Sequence, residues 1–171
     1  MALPWLYRAI GDRVVADLPS GGHLLDVGSG PGRLLVTLAR RRPDAQLAGI
    51  DPSESMVQRA RERIGAAGIA DRVDVTVAPS EALPFANGTF DVIVSSLSAH
   101  HWDNIPQGVS EQARVLRPGG HLWVFDLRRR QSDVAAALRT EFGGAAVTQP
   151  RLGLLRDRLV ICLRAAATPA A

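Results

Sequence analysis

From residue 23 to residue 127 the chain alternates short apolar runs with stretches of helical period. The runs at 23–27, 46–50, 72–77, 90–95 and 121–127 have strand length. Between them, 34–41, 53–65 and 105–116 repeat apolar residues three and four apart. In 53–65 the repeating residues are Met56, Val57, Ala60 and Ile64, with Ser53 placed as the N-cap. Helices are also expected over 4–18 and 132–142, and two last strands over 145–149 and 158–163. Turns fall at Asn87-Gly88 and Pro118-Gly119-Gly120. Strand–helix alternation of this kind predicts a doubly wound, mostly parallel sheet with helices on both faces, joined by right-handed crossovers. At 171 residues the chain fits one domain with one core. Within it, 1–22 reads as an N-terminal helix and small cap, 23–127 as a ligand-binding core, 128–164 as a C-terminal helix with two strands, and 165–171 as a frayed tail.

Sheets of this type bind ligands beyond the carboxyl ends of their strands. The first such loop reads Asp26-Val27-Gly28-Ser29-Gly30-Pro31-Gly32. Glycine there permits positive φ and close approach of backbone to a ligand. The next helix is expected to begin at about Pro31, a residue favoured in a first turn. Strand, glycine turn and helix start together make a nucleotide-site geometry. The dinucleotide fingerprint needs a third glycine where Arg33 stands, so the loop departs from the nicotinamide type. Asp51 follows the second strand, 23 positions after Gly28, where an acidic residue can accept hydrogen bonds from ribose hydroxyls.

Charge and cysteine usage narrow the remaining classes. All 20 cationic residues are arginine, and the net charge is only +3. The densest basic run, Arg128-Arg129-Arg130, has no interleaved aromatic residues to stack bases, which argues against nucleic acid as a partner. A single cysteine, Cys162, excludes an internal disulfide. No apolar run approaches the roughly 20 residues of a membrane span, and no secretory leader is evident, so the expected compartment is the cytoplasm. One cysteine and four histidines supply no zinc pattern, and no metal is expected. A G-x-S-x-G elbow, which serine hydrolysis needs, is missing.

The runs LLDVGSGPGRL, GIDPSESMVQRA, SEALPFANGTFDVIVSS and ARVLRPGGHLWVFD, from Leu24 to Asp126, resemble in order and spacing the class I S-adenosylmethionine-dependent methyltransferases. The likeness is strongest to the compact group similar to the ubiquinone/menaquinone-biosynthesis enzymes. It implies a Rossmann-like, seven-stranded sheet with one antiparallel strand. It also implies S-adenosylmethionine as cofactor, with S-adenosylhomocysteine as product. Gly28, Ser29, Gly30 and Gly32 would lie along the methionine and ribose part, and Asp26 would shape that loop or orient the amino group. Asp51 would bind the ribose diol. Pro52 and Met56 would line the adenine face, the Ser80 backbone would contact the ring, and Ser95 would meet the methionine end. Many members carry an aspartate for the adenine amino group where this chain has Pro79.

The implied reaction is in-line methyl transfer, in which the enzyme holds two groups in attack geometry and excludes water. His100 and His101, after the fourth strand, are the candidate base or substrate contacts. Tyr7 and Arg8 are further candidates for the cofactor carboxylate or the acceptor. A small-molecule acceptor is expected. Few residues separate the later strands, which leaves little for a substrate cap and keeps open a partner protein that completes the site. The alternative is a methyltransferase-like scaffold or regulatory subunit of low activity.

Overall fold

The computed structural model describes residues 4–128, 131–150 and 160–168. The elements run in the order α1 (Pro4–Asp17), β1 (His23–Val27), α2 (Arg33–Arg41), β2 (Gln46–Asp51), α3 (Glu54–Ala66), β3 (Val73–Val77) and β4 (Phe90–Ser96). They continue with α4 (Ile105–Val115), β5 (Leu116–Leu127), α5 (Gln131–Phe142), β6 (Val147–Thr148) and β7 (Val160–Ala166). The seven strands form one sheet in the order β3-β2-β1-β4-β5-β7-β6. β7 alone runs against the rest, because it is antiparallel to both β5 and β6. The chain first winds outward from β1 to β3 and then restarts at β4 on the other side. The switch point therefore lies between β1 and β4, where ligands bind in such sheets.

Both faces of the sheet are covered, which explains why its central strands are apolar without alternation. Along β4, Val92 and Val94 pack with α1, α2 and α3 on one face, through Leu6, Ile10, Leu34, Leu38 and Val57. Ile93 points the other way, toward Ile105, Val109, Val134 and Leu138 of α4 and α5. α1 is anchored at its end by Asp17, which accepts from Trp123 Nε1 at 2.9 Å and Arg164 Nε at 2.8 Å. No described helix is long and apolar enough to cross a membrane.

Several local expectations need correction. α2 begins at Arg33, not Pro31, because Gly32 takes a left-handed φ of 72° at the N-cap. Ser53 does cap α3 in position, but its hydroxyl makes no capping bond and lies 3.0 Å from the Ser55 hydroxyl. β5 starts at Leu116 and runs through the Pro-Gly-Gly turn signal, with a register shift against β4 between Phe90 and Val92. The strand expected over 145–149 narrows to Val147–Thr148, after a 3-10 turn at Gly144–Ala146. The tail is not frayed from 165: β7 pairs with β5 as far as Ala166, and Ala165 is fully buried. A small side chain suits that crowded position, so an alanine-rich stretch is core there. Arg129, Arg130 and the start of the strand expected from 158 lie outside the described residues.

Candidate active site

The loops after β1, β2, β3 and β4 converge on a cavity of about 350 Å³ at the carboxyl ends of the strands. That volume is in the range of small-molecule sites. The loop after β1 folds over the end of β2: the Gly28 and Ser29 N–H groups both donate to the Ile50 carbonyl, at 2.9 and 2.8 Å. Gly28 (φ 74°) is fixed by space as well as by φ, since a Cβ there would stand 2.3 Å from the Ser98 Cβ. Gly30 (φ 51°) differs, because no atom comes within 4 Å of where its Cβ would be. It faces the cavity, and its bareness leaves room for a ligand against the backbone.

Asp51 holds this loop in place. Its Oδ2 accepts from the Gly30 N–H and its Oδ1 from the Ser53 N–H, both at 2.9 Å. Each carboxylate oxygen keeps further acceptor capacity toward the cavity that Asp51 lines. Asp26 is different. It is fully buried, and neither oxygen has a hydrogen-bond partner. Burial first, and the nearby Asp51 charge second, push its carboxyl up to about 8. Asp26 therefore does not shape the loop through hydrogen bonds; Asp51 does. A buried carboxyl without partners is costly, and a cation reaching it would bring its pKa back down.

The wall opposite comes from the segment after β4. Leu97 is the only non-glycine described residue at positive φ, at 55°, and its N–H donates to the Phe125 carbonyl at 2.7 Å. This turn brings Ser98 beneath Gly28, where its hydroxyl donates to the Val27 carbonyl at 2.9 Å and meets the Ser95 hydroxyl at 2.7 Å. Trp102 is nearly buried; it packs on Gly108 of α4 and also lines the cavity, so it serves core and site together.

The two histidines separate. His101 is exposed and lines the cavity. His100 does not line it: its Nδ1 lies 2.7 Å from Asp126 Oδ1, and its N–H donates to Asp126 Oδ2 at 2.9 Å. Their rings lie 4.0 Å apart. Beyond β3, Pro79, Ser80 and Glu81 line the cavity. The Ser80 hydroxyl donates to Glu81 Oε2 at 2.8 Å, and the Asn104 N–H to Oε1 at 3.0 Å. Burial raises the Glu81 pKa, but these donors outweigh it and leave the carboxyl below its ordinary value.

Of the residues expected from sequence, Gly28, Gly30, Asp51, Pro52, Ser80 and His101 meet around one cavity. Asp26, Ser29 and Ser95 are buried around it rather than lining it. Met56 is half-buried and does not line it, and Gly32 packs against Ala60 instead. Tyr7 and Arg8 lie elsewhere, in a groove beside α2. Sequence reasoning missed Leu97, Ser98, Glu81 and Asp103. Only their place after a strand end marked them. Among the described residues, no group of three or more His, Cys, Asp or Glu side chains is placed to hold a metal ion.

Comparison with known proteins agrees with this geometry. The family described as "Methyltransferase domain" matches residues 25–124. The chain is 34% identical over 113 residues to the ubiquinone/menaquinone biosynthesis C-methyltransferase UbiE of Geobacter sulfurreducens, covering 66% of this chain and 44% of that protein. It is 38% identical over 124 residues to the methyltransferase GfsG of Streptomyces halstedii, covering 71% of this chain and 44% of that protein. The chain thus spans less than half the length of these curated relatives. Among solved structures it resembles the cyclase SpnF, with a TM-score of 0.81 at 20% identity over 98% of this chain and 82% of that one. It also resembles an S-adenosylmethionine-dependent methyltransferase of Aquifex aeolicus, with a TM-score of 0.71 at 20% identity over 98% of both chains. At such identity these two likenesses speak for the fold alone. With the family match across more than half of its length, the chain belongs to the methyltransferase-domain family of class I S-adenosylmethionine-dependent methyltransferases.

Proposed function

We propose that this protein transfers a methyl group from S-adenosylmethionine to a small-molecule acceptor, with an electron-rich ring carbon of quinol type as the acceptor class. The observation that carries the cofactor part is Asp26. A buried carboxyl with two unpartnered oxygens sits beneath a glycine loop that leaves open space at Gly30. Asp26 does not line the cavity, so the cofactor's ammonium would act on it across the loop, as a nearby positive charge rather than a direct partner.

The other residues fit the same molecule. Gly28, Ser29, Gly30 and Gly32 form the loop along it. Asp51 has acceptor capacity left for a ribose diol. Pro52, Pro79 and the Ser80 backbone offer a wall for adenine, with Met56 behind it. The Ser95 hydroxyl is already engaged by Ser98, so Ser95 supports the methionine end through Ser98 rather than by direct contact. When bound, the cofactor supplies a sulfonium methyl, an electrophile that needs no covalent help from the protein. Leu97 and Trp102 exclude water from the cavity wall. His101, at the rim, would take a proton from an acceptor hydroxyl, which makes the adjacent ring carbon nucleophilic. The methyl bond then forms as the carbon–sulfur bond breaks and S-adenosylhomocysteine leaves, and loss of that carbon's own hydrogen as a proton restores the aromatic ring. His100 positions that segment through Asp126. The likeness to quinone-pathway C-methyltransferases supports the carbon acceptor.

The test is incubation with methyl-labelled S-adenosylmethionine and a panel of unmethylated quinols, phenols and amines. Label in the ring of a quinol, lost in His101→Ala, is the expected result. Label only in amines, or in none of the panel, overturns the acceptor assignment. One observation favours a second reading. Pro79 stands in the cavity wall where the family resemblance implies an aspartate, and a scaffold subunit that binds cofactor weakly would tolerate that. Turnover that appears only when a partner protein is added would support it.

A further inference from the structure

Beside α2 lies an open groove of about 460 Å³ that, among the described residues, shares no lining residue with the cavity at the strand ends. Its walls include Tyr7 and Arg8 of α1, Arg33, Arg40 and Arg41 of α2, and Arg63 of α3. Helical period makes this face. Positions 33, 37, 40 and 41 share one side of α2, while Leu34, Leu35 and Leu38 turn inward to the core.

The groove is short of negative charge. Arg41 donates to Asp12 Oδ1 at 2.9 Å and to the Arg8 carbonyl at 3.0 Å. Arg63 donates to the Pro31 carbonyl. Arg8, Arg33 and Arg40 are exposed, and their side chains make no ion pair or hydrogen bond to any described residue. Five guanidiniums therefore line the groove, and Asp12 is the one carboxylate paired with any of them among the described residues. The fold also accommodates this arrangement. Gly11 sits in the interior of α1, where glycine is unfavourable. A Cβ there would stand 2.4 Å from Arg41 Nη1, so the missing side chain lets that guanidinium lie against α1 as a wall of the groove.

We propose that this groove binds the phosphate groups of a small diphosphate- or triphosphate-bearing molecule, at a site separate from the cavity at the strand ends. Guanidinium forks pair their N–H groups with phosphate oxygens. Several cations around one concavity match a compact multiple charge. A duplex backbone would need an extended stripe instead. Among the described residues Tyr7 is the only aromatic wall, too few for a stacked single strand. The proposal does not depend on the methyl-transfer reading, because its site and probe are different.

The test is calorimetric titration of the full chain with inorganic pyrophosphate at low salt, comparing parent, Arg33→Gln/Arg40→Gln and Arg33→Lys/Arg40→Lys. The parent is expected to bind one equivalent, weakening as salt rises. The glutamine pair should bind about tenfold or more weakly, and the lysine pair should recover part of the loss. Both pairs should keep the parent's circular dichroism and affinity for S-adenosylmethionine. Absence of saturable binding, or equal binding by the glutamine pair, overturns the site. Displacement of pyrophosphate by S-adenosylmethionine would place the anion in the cofactor site and also overturn it. Tight binding of an oligonucleotide or of phosphatidylglycerol vesicles that pyrophosphate fails to displace would replace the small ligand with a macromolecular surface.

Discussion

Replacing Asp26 with asparagine tests the electrostatics of the site. With its carboxyl pushed up to about 8, Asp26 is mostly protonated at pH 7 before ligand binds. A nearby ammonium favours the ionised form, so binding at pH 7 should release up to about 0.9 proton. The ionised fraction rises about ninefold between pH 6 and pH 7, and cofactor affinity should rise with it. Folding shows the opposite sign. A carboxyl whose folded pKa lies above its unfolded value favours the folded state fully below pH 4, and that advantage is lost as pH rises through 8. Between pH 6 and pH 9 the loss is about 2–3 kcal/mol, or roughly 5–10 °C in Tm for a chain of this size. Asparagine matches the protonated shape without the titration. Asp26→Asn should therefore fold well, flatten both pH profiles, release no proton and bind the cofactor about 1.5–3 kcal/mol more weakly at pH 7.5. The assay is calorimetry in buffers of different ionisation enthalpy, paired with thermal melts of the free protein. Parent affinity that stays flat from pH 6 to 7.5, with no proton released, would refute the reasoning.

Asp51→Ala removes the acceptor of two loop N–H groups and the proposed ribose contact, and should weaken cofactor binding by about 1.5–3 kcal/mol, read by the same calorimetry. Gly28→Ala should lower stability by about 2–4 kcal/mol, because it combines left-handed backbone with a clash against Ser98, and denaturant melts measure it. Gly30→Ala meets nothing in the protein, so its stability loss should stay at about 1–2 kcal/mol while cofactor affinity falls sharply. His101→Ala should cut kcat about 100-fold or more with little change in Tm. By contrast, His100→Ala should lower stability by about 2–3 kcal/mol, because it strips the buried Asp126 of its ring partner.

Local pattern carried much of this architecture. The strand at 23–27, its glycine turn and Asp51 lie within one β-turn-α-β unit, so their proximity follows from chain connectivity. The covered faces of β4 follow from an unbroken apolar run. What local pattern could not show was set by contacts distant in sequence. Asp17 meets Arg164 at a separation of 147 residues, and that contact fixes the end of a helix that Leu6, Ile10 and Val14 dock on the core. Ala165 belongs to the core because β5 lies beside it, although its neighbours in sequence read as a loose tail. Leu97 adopts positive φ against its own preference, in the turn that brings Ser98 under Gly28. His100 and His101 were indistinguishable as adjacent histidines until Asp126 claimed one of them. Likewise, the groove beside α2 exists only because α1 and α3 close around the α2 arginines, which no local pattern marks.

The central claim is that the cavity at the strand ends is an S-adenosylmethionine site. Calorimetric titration of the purified chain with S-adenosylmethionine and S-adenosylhomocysteine, with Asp51→Ala as control, tests it most directly. The account predicts one saturable site for each ligand and a loss of affinity in the control. Heats that never saturate, or equal binding by parent and Asp51→Ala, would contradict it.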